Sequence, residues 1–205
     1  MWIKICGMTT AAAVSAALAA GADAIGFVFA ESSRRLTPQA AAQLAAPVRG
    51  RICCVAVTRH PTQAALDEIV ATFAPDLLQC DVADFITLRL PATLRRLPVL
   101  RAGEAAPAAL PQRILFEGPA SGSGALSDWD AARGLARRTE LVLAGGLHAG
   151  NVAAALAAVH PWGVDVSSGV ESEPGVKSPV GIMKFVAAVR AAARAPAASS
   201  TGGSA

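Results

Sequence analysis

Residues 2–29 read WIKICGMTTAAAVSAALAAGADAIGFVF, and this stretch decides the architecture. WIKIC (2–6) is a short apolar run bounded by Gly7, the pattern of a buried strand. The alanine-rich stretch from Ala11 reads as helix and breaks at Gly21, where glycine tolerates the backbone turn that ends a helix. AIGFVF (24–29) then reads as a second buried strand. Residues 11–30 carry a single charge, Asp23. An aspartate near the centre of a membrane-spanning helix costs about 2.5–3.5 kcal/mol, which alanine does little to offset. The segment also lacks the basic start of a signal peptide. It is therefore expected to be helix, turn and strand, with no membrane span.

The same alternation continues to the end of the chain. Apolar runs recur as RICCVAV (51–57), DLLQC (76–80), LPVLRA (97–102), RILFE (113–117), ELVLA (140–144) and WGVDVS (162–167). A helical pattern is expected after each strand, weakest at residues 82–88. Eight strand–helix units in one domain of 205 residues imply an α/β fold of the closed (β/α)8 barrel type. A doubly wound open sheet would carry a glycine fingerprint after the first strand, and none is present. The barrel is assigned to residues 1–194. The tail at 195–205, APAASSTGGSA, is expected to be disordered.

Composition narrows the function. Hydrophobic residues make up 53% and charged residues 16%, as expected where helices cover both faces of a parallel sheet. The net charge of +3 is small, arginine pairs are scattered and aromatics are 4%, all against nucleic-acid binding. A slight positive excess suits a small anionic substrate. Cys6, Cys53, Cys54 and Cys80 form neither a disulfide framework nor a zinc-type spacing, so a soluble cytoplasmic protein is expected. Its assembly is expected to be a monomer or a homodimer.

In such barrels the chemistry gathers at the carboxyl ends of the strands. Lys4 and Cys6 lie two apart on one strand and share a face, so the ammonium is expected to lower the thiol's pKa. The alternative is a buried structural cysteine. The other three cysteines read as packing residues. Gly145-Gly146 after strand seven and Ser167-Ser168-Gly169 after strand eight have the composition of a phosphate grip. Ser121-Gly122-Ser123-Gly124 reads as a flexible loop. Glu117 ends an apolar strand and is a candidate general acid, its surroundings expected to favour the protonated form. Its alternative role is an ion pair with Lys4 or Arg35. Asp165 is expected to pair with Lys4, because strand eight neighbours strand one in a closed barrel. His148 and His160 read as cap or surface residues, and His60 lies in a loop with no evident partner.

KICGMT (4–9), GADAIGFVFAESSRRLTP (21–38), GSGALSDWD (122–130), LVLAGGLHAGNV (141–152) and VDVSSGVESEPGVKS (164–178) together resemble phosphoribosylanthranilate isomerase over roughly residues 2–190. The resemblance implies an Amadori rearrangement of N-(5-phosphoribosyl)anthranilate, a small anionic phosphosugar, without metal or cofactor. It assigns the base to Cys6 and a grip on the substrate carboxylate to Arg35. It places the phosphate at Gly145, Gly146, Ser167, Ser168 and Gly169. Two positions depart from the family. Its usual strand-six aspartate is replaced in Leu115-Phe116-Glu117, and its Gln-Leu-His-Gly reads Gln79-Cys80-Asp81-Val82. Gln79 and Asp81 are retained as candidate substrate contacts. Two other functions compete: a different sugar-phosphate isomerase or epimerase on the same barrel, including the related histidine-pathway isomerisation, and a catalytically dead barrel that binds a phosphosugar or a partner enzyme.

Overall fold

The computed structural model describes residues 1–107, 109–119 and 127–194. Eight parallel strands close into a barrel in sequence order: β1 (Trp2–Cys6), β2 (Ala24–Val28), β3 (Cys53–Val57), β4 (Leu77–Asp81), β5 (Arg95–Arg101), β6 (Arg113–Glu117), β7 (Glu140–Leu143) and β8 (Gly163–Val166). The ring is sealed by β8 against β1, with Lys4 in register with Asp165. A two-stranded antiparallel hairpin, β9 (Glu171–Glu173) and β10 (Val176–Lys177), follows β8. The hairpin was not expected from the strand pattern.

The helices are α1 (Ala11–Ala20), α2 (Pro38–Ala45), α3 (Gln63–Phe73), α4 (Asp84–Thr87), α5 (Trp129–Ala136), α6 (Val152–Val159) and α7 (Pro179–Arg194). Threonines start three of them. Thr10, Thr37 and Thr62 each accept a hydrogen bond from a first-turn backbone N–H that has no partner within the helix. Gly21 ends α1 at φ 77°, so residues 11–30 are the expected helix, turn and strand. Among the described residues, no helix is long and apolar enough to cross a membrane. His160 closes α6 as a left-handed cap.

The expectation of a helix after every strand fails between β5 and β6. Residues 102–107 and 109–112 carry no helix. Pro107 and Pro111 deny backbone donors there, and Gly103 turns the chain at φ 90°. The helix after β4 is a single turn, in line with its poor periodicity.

Alternation along the strands makes two cores. Outward residues such as Ile3, Ile25, Cys54 and Leu78 pack against the helices. Inward residues Ala24, Val55, Leu77, Leu97, Val99, Leu115 and Val142 fill the barrel. Cys54 and Cys80 are fully buried, and burial pushes their thiols up to about 11 and about 12, as packing cysteines should behave. At the amino-terminal end, Trp2 and Trp162 stack at 5.5 Å, with the Arg113 guanidinium 3.6 Å from the Trp162 ring centre. That end is plugged, so the opposite mouth is where a ligand can enter.

Candidate active site

The polar residues collect at the carboxyl ends of the strands. A cavity there is lined by Cys6, Arg34, Gln79, Arg101, Glu117, Gly145, Gly146, Asp165, Ser167 and Ser168, among others. Its base is the β1–β8 seam, where Lys4 Nζ donates to Asp165 Oδ1 at 3.0 Å. Lys4 is 0% exposed. Burial works against its ammonium, but Asp165 and Cys6 together outweigh it and hold the Lys4 pKa above the ordinary value. The expected Lys4–Asp165 pair therefore forms. Gly26 on β2 makes room for it, because a Cβ there would lie 3.1 Å from Cys6 Sγ and 3.2 Å from Lys4 Nζ.

Cys6 sits above that pair, 8% exposed. Lys4 acts in the expected direction on the thiol's pKa, but the net shift is upward. Burial pushes the thiol up, Lys4 and Lys177 pull it down, and Asp165 pushes it up again, for a net rise. The physical reason is first the loss of hydration on burial, which outweighs the pull of Lys4, and then the Asp165 carboxylate, which opposes that pull.

Two loops, after β7 and after β8, line the cavity together with Cys6. Gly145 and Gly146 have φ 93° and 63°, a left-handed conformation that side chains resist. Gly169 does not line the cavity. A Cβ on it would fall 1.9 Å from the Leu147 carbonyl oxygen, so its role is to let the β7 and β8 loops approach each other. The Ser121–Gly124 loop and the tail at 195–205 lie outside the described residues.

The arginine at the mouth is not the one expected. Arg35 is exposed, and its backbone bridges Val28, while Arg34 lines the cavity. Arg34 Nε and Nη2 donate to the two Glu171 oxygens at 2.7 and 2.9 Å. Nothing in the sequence of this aperiodic loop says which of two adjacent arginines turns inward.

Glu117 lines the cavity, but its neighbour is neither an apolar wall nor Lys4 or Arg35. Arg101 Nη2 lies 3.1 Å from Glu117 Oε1. Arg101 also bonds Asp81 through Nη1. Asp81, expected at the substrate, does not line the cavity. It stands behind Arg101, with His60 Nε2 3.1 Å away on its other oxygen. His60 in turn pairs with Asp84 at 2.9 Å. His60, Asp81 and Asp84 offer ligand atoms within 4.8 Å of one another. With Arg101 bonded to Asp81 and Arg59 at 3.9 Å from it, two guanidiniums oppose a cation there. Gln79 lines the cavity, and its buried Oε1 has no hydrogen-bond partner among the described residues.

Order around the rim follows from strand order: Glu117 on β6, the glycines after β7, the serines after β8, Cys6 on β1, then Arg34 after β2. A closed parallel barrel with a carboxyl group, a thiol, an arginine and glycine- and serine-bearing loops lining its carboxyl-terminal mouth has the build of a (β/α)8-barrel enzyme. The profile of the N-(5'-phosphoribosyl)anthranilate isomerase family matches residues 3–188. The enzyme of that name from Azorhizobium caulinodans is 41% identical, over 93% of this chain and 92% of the relative. That from Mesorhizobium japonicum is 40% identical, over 93% and 95%. Among solved structures, TrpF from Jonesia denitrificans is 36% identical with a TM-score of 0.78, over 95% of this chain and 98% of that one. Phosphoribosyl anthranilate isomerase from Thermus thermophilus superposes at TM-score 0.81 with 27% identity, over 93% and 99%. The chain belongs to the phosphoribosylanthranilate isomerase family, enzymes of tryptophan biosynthesis.

Proposed function

We propose that this chain converts N-(5'-phosphoribosyl)anthranilate to 1-(2-carboxyphenylamino)-1-deoxyribulose 5-phosphate by general acid–base catalysis, with the following roles. One observation carries the reading: Cys6 and Glu117 line the same cavity from β1 and β6, and the two loops suited to phosphate lie between them on β7 and β8. A sugar phosphate held by those loops presents its ring between an acid and a base.

Glu117 gives a proton to the ribose ring oxygen, the ring opens, and a Schiff base forms. Arg101, 3.1 Å away, stabilises the carboxylate left behind. The Cys6 thiolate then takes the C2 proton, and the resulting enol collapses to the ketone. Lys4 and Lys177 supply the positive charge that favours this thiolate against burial. Backbone N–H groups at Gly145 and Gly146, with Ser167 and Ser168, hold the phosphate. Arg34 takes the role first expected of Arg35 and binds the anthranilate carboxylate. The buried Gln79 oxygen, without a partner among the described residues, accepts from a substrate hydroxyl or from the anthranilate N–H. Free thiols at all four cysteines support a reducing, cytoplasmic setting.

The direct test is to add phosphoribosylanthranilate and follow loss of its anthranilate fluorescence. Turnover supports the proposal. A chain that binds the reduced product but does not turn over substrate would be a dead barrel.

A further inference from the structure

We propose that Glu171, which does not line the cavity, is a positioning residue that aims Arg34 at the substrate carboxylate. The proposal rests on the reading of Arg34 given above.

The geometry begins with the hairpin. β9 and β10 pair so that Glu171 and Lys177 face each other across the two strands. Gly175, at the turn, has φ 86°, and a Cβ there would meet the Ser33 carbonyl oxygen at 2.8 Å. The Thr9 hydroxyl donates to the Gly175 carbonyl at 2.8 Å. The hairpin is thereby clipped to the loops after both β1 and β2, the loops that follow Cys6 and carry Arg34.

Glu171 stands at the centre of this clip. Its two oxygens accept the Nε and Nη2 donors of Arg34, which is the side-on edge of the guanidinium. An arginine carries five N–H donors in a fixed plane. Occupying the side edge leaves the end-on Nη1/Nη2 edge, which has the spacing for a second bidentate carboxylate. The stem of Arg34 is held from below as well, since a Cβ on Gly7 would fall 2.5 Å from Arg34 Cδ. Both the height and the rotation of the guanidinium are thus set before substrate arrives, and its rotamer freedom is lost on folding rather than on binding.

A carboxylate so near an anion-binding arginine would by itself weaken the attraction. Lys177 answers that. Its fully buried ammonium donates to Glu171 Oε1 at 2.5 Å and to the Ser167 carbonyl and hydroxyl oxygens, each at 3.2 Å. The cluster of Arg34, Lys177 and Glu171 keeps a net positive charge beside the cavity. Ser167 in turn donates to the Cys6 carbonyl at 3.1 Å, so the clip ends on the residue that carries the thiol.

The test is a double-mutant cycle of Glu171→Gln with Arg34→Met. It is read as dissociation constants for two probes: the reduced product, which has the carboxylate, and ribose 5-phosphate, which lacks it. Glu171→Gln is expected to weaken the reduced product about tenfold and ribose 5-phosphate by less than about twofold, with kcat changed far less than KM. On the Arg34→Met background the same change should add less than about twofold, because its target is gone. Melting curves check folding, and Glu171→Asp enters the same cycle if the glutamine variant does not fold. Equal weakening of both probes, or full additivity in the double variant, overturns the proposal and leaves Glu171 as a hairpin fastener. If Arg34→Met alone leaves the reduced product tightly bound, the carboxylate reading of Arg34 fails, and this proposal fails with it.

Discussion

Arg101 Nη2 lies 3.1 Å from Glu117 Oε1, on neighbouring strands where the two residues are register partners. The carboxyl group proposed as the acid therefore has a guanidinium beside it instead of the apolar wall that its strand suggests. Glu117→Gln keeps size and hydrogen bonding but removes the transferable proton. Turnover should fall by about 10²–10⁴-fold while the reduced product still binds. Glu117→Asp should recover part of the rate. Arg101→Met should also lower the denaturation midpoint, because it removes the cation between the Asp81 and Glu117 carboxylates; breaking a buried pair costs about 3–5 kcal/mol. A fully active glutamine variant would remove Glu117 as the acid.

Cys6→Ala should leave the fold intact and reduce turnover by about 10²–10⁴-fold, as expected for loss of a general base. The pH dependence has a definite sign. The Cys6 pKa lies above that of an ordinary thiol, about 8.5, so the thiolate fraction keeps growing above neutral pH. Alkylation of Cys6 by iodoacetamide should accelerate through pH 8 to 9 and beyond. A plateau already reached at pH 7 would contradict the raised pKa.

The two adjacent arginines should separate cleanly. Arg34→Met should weaken the reduced product by more than about tenfold, since a charged bidentate contact is lost. Arg35→Met should change it by less than about twofold, as surface substitutions usually do. Gly146→Val should weaken ribose 5-phosphate instead, because φ 63° is strained for a branched residue and the side chain would stand where phosphate approaches. A larger effect from Arg35 than from Arg34 in calorimetry would return the role to Arg35.

Acid stability should carry the mark of Glu171. Burial would raise its carboxyl, but hydrogen bonds and charge from Arg34 and Lys177 outweigh that and hold it at about 2. A depressed folded-state pKa stabilises the fold at pH values above the unfolded value, about 4.3, and the contribution fades as pH falls toward the folded value. Urea melts of the wild type should therefore lose stability between pH 5 and 2 more steeply than those of Glu171→Gln. Parallel curves for the two proteins would contradict the ionic clip.

The eight strands were readable because each is an apolar run stopped by a polar residue or glycine, and barrel closure followed from their number. The segment after β5 was misread because its alanines suggest helix while Pro107 and Pro111 forbid it. At the site, Cys6, Glu117, the glycines and the serines were visible from their places at strand ends. Arg101 bears the same mark as Glu117, a charge closing an apolar strand. Its partnership with Glu117 depends on register between β5 and β6, which the sequence does not display. Glu171 and Lys177 had a signal in ESEPGVK, opposite charges flanking a Pro-Gly turn, that a search for strand-end chemistry passes over. The direction of the Cys6 shift sets burial and Asp165 against Lys4 and Lys177, and only coordinates weigh those.

The seam between β1 and β8 also bears on how the molecule comes into being. Lys4 and Asp165 are 161 residues apart, so the ammonium waits for almost the whole chain to be placed before its counter-charge arrives. Contacts of such long range form late, because a large loop must close first. A chain with seven strands in place would hold Lys4 in the barrel without its carboxylate, a state that buried charge disfavours strongly. Cys6, the serine loop after β8 and the hairpin clip all meet at that same joint. Competence therefore arrives in one step with ring closure, and a folding intermediate short of the last strand would be inert.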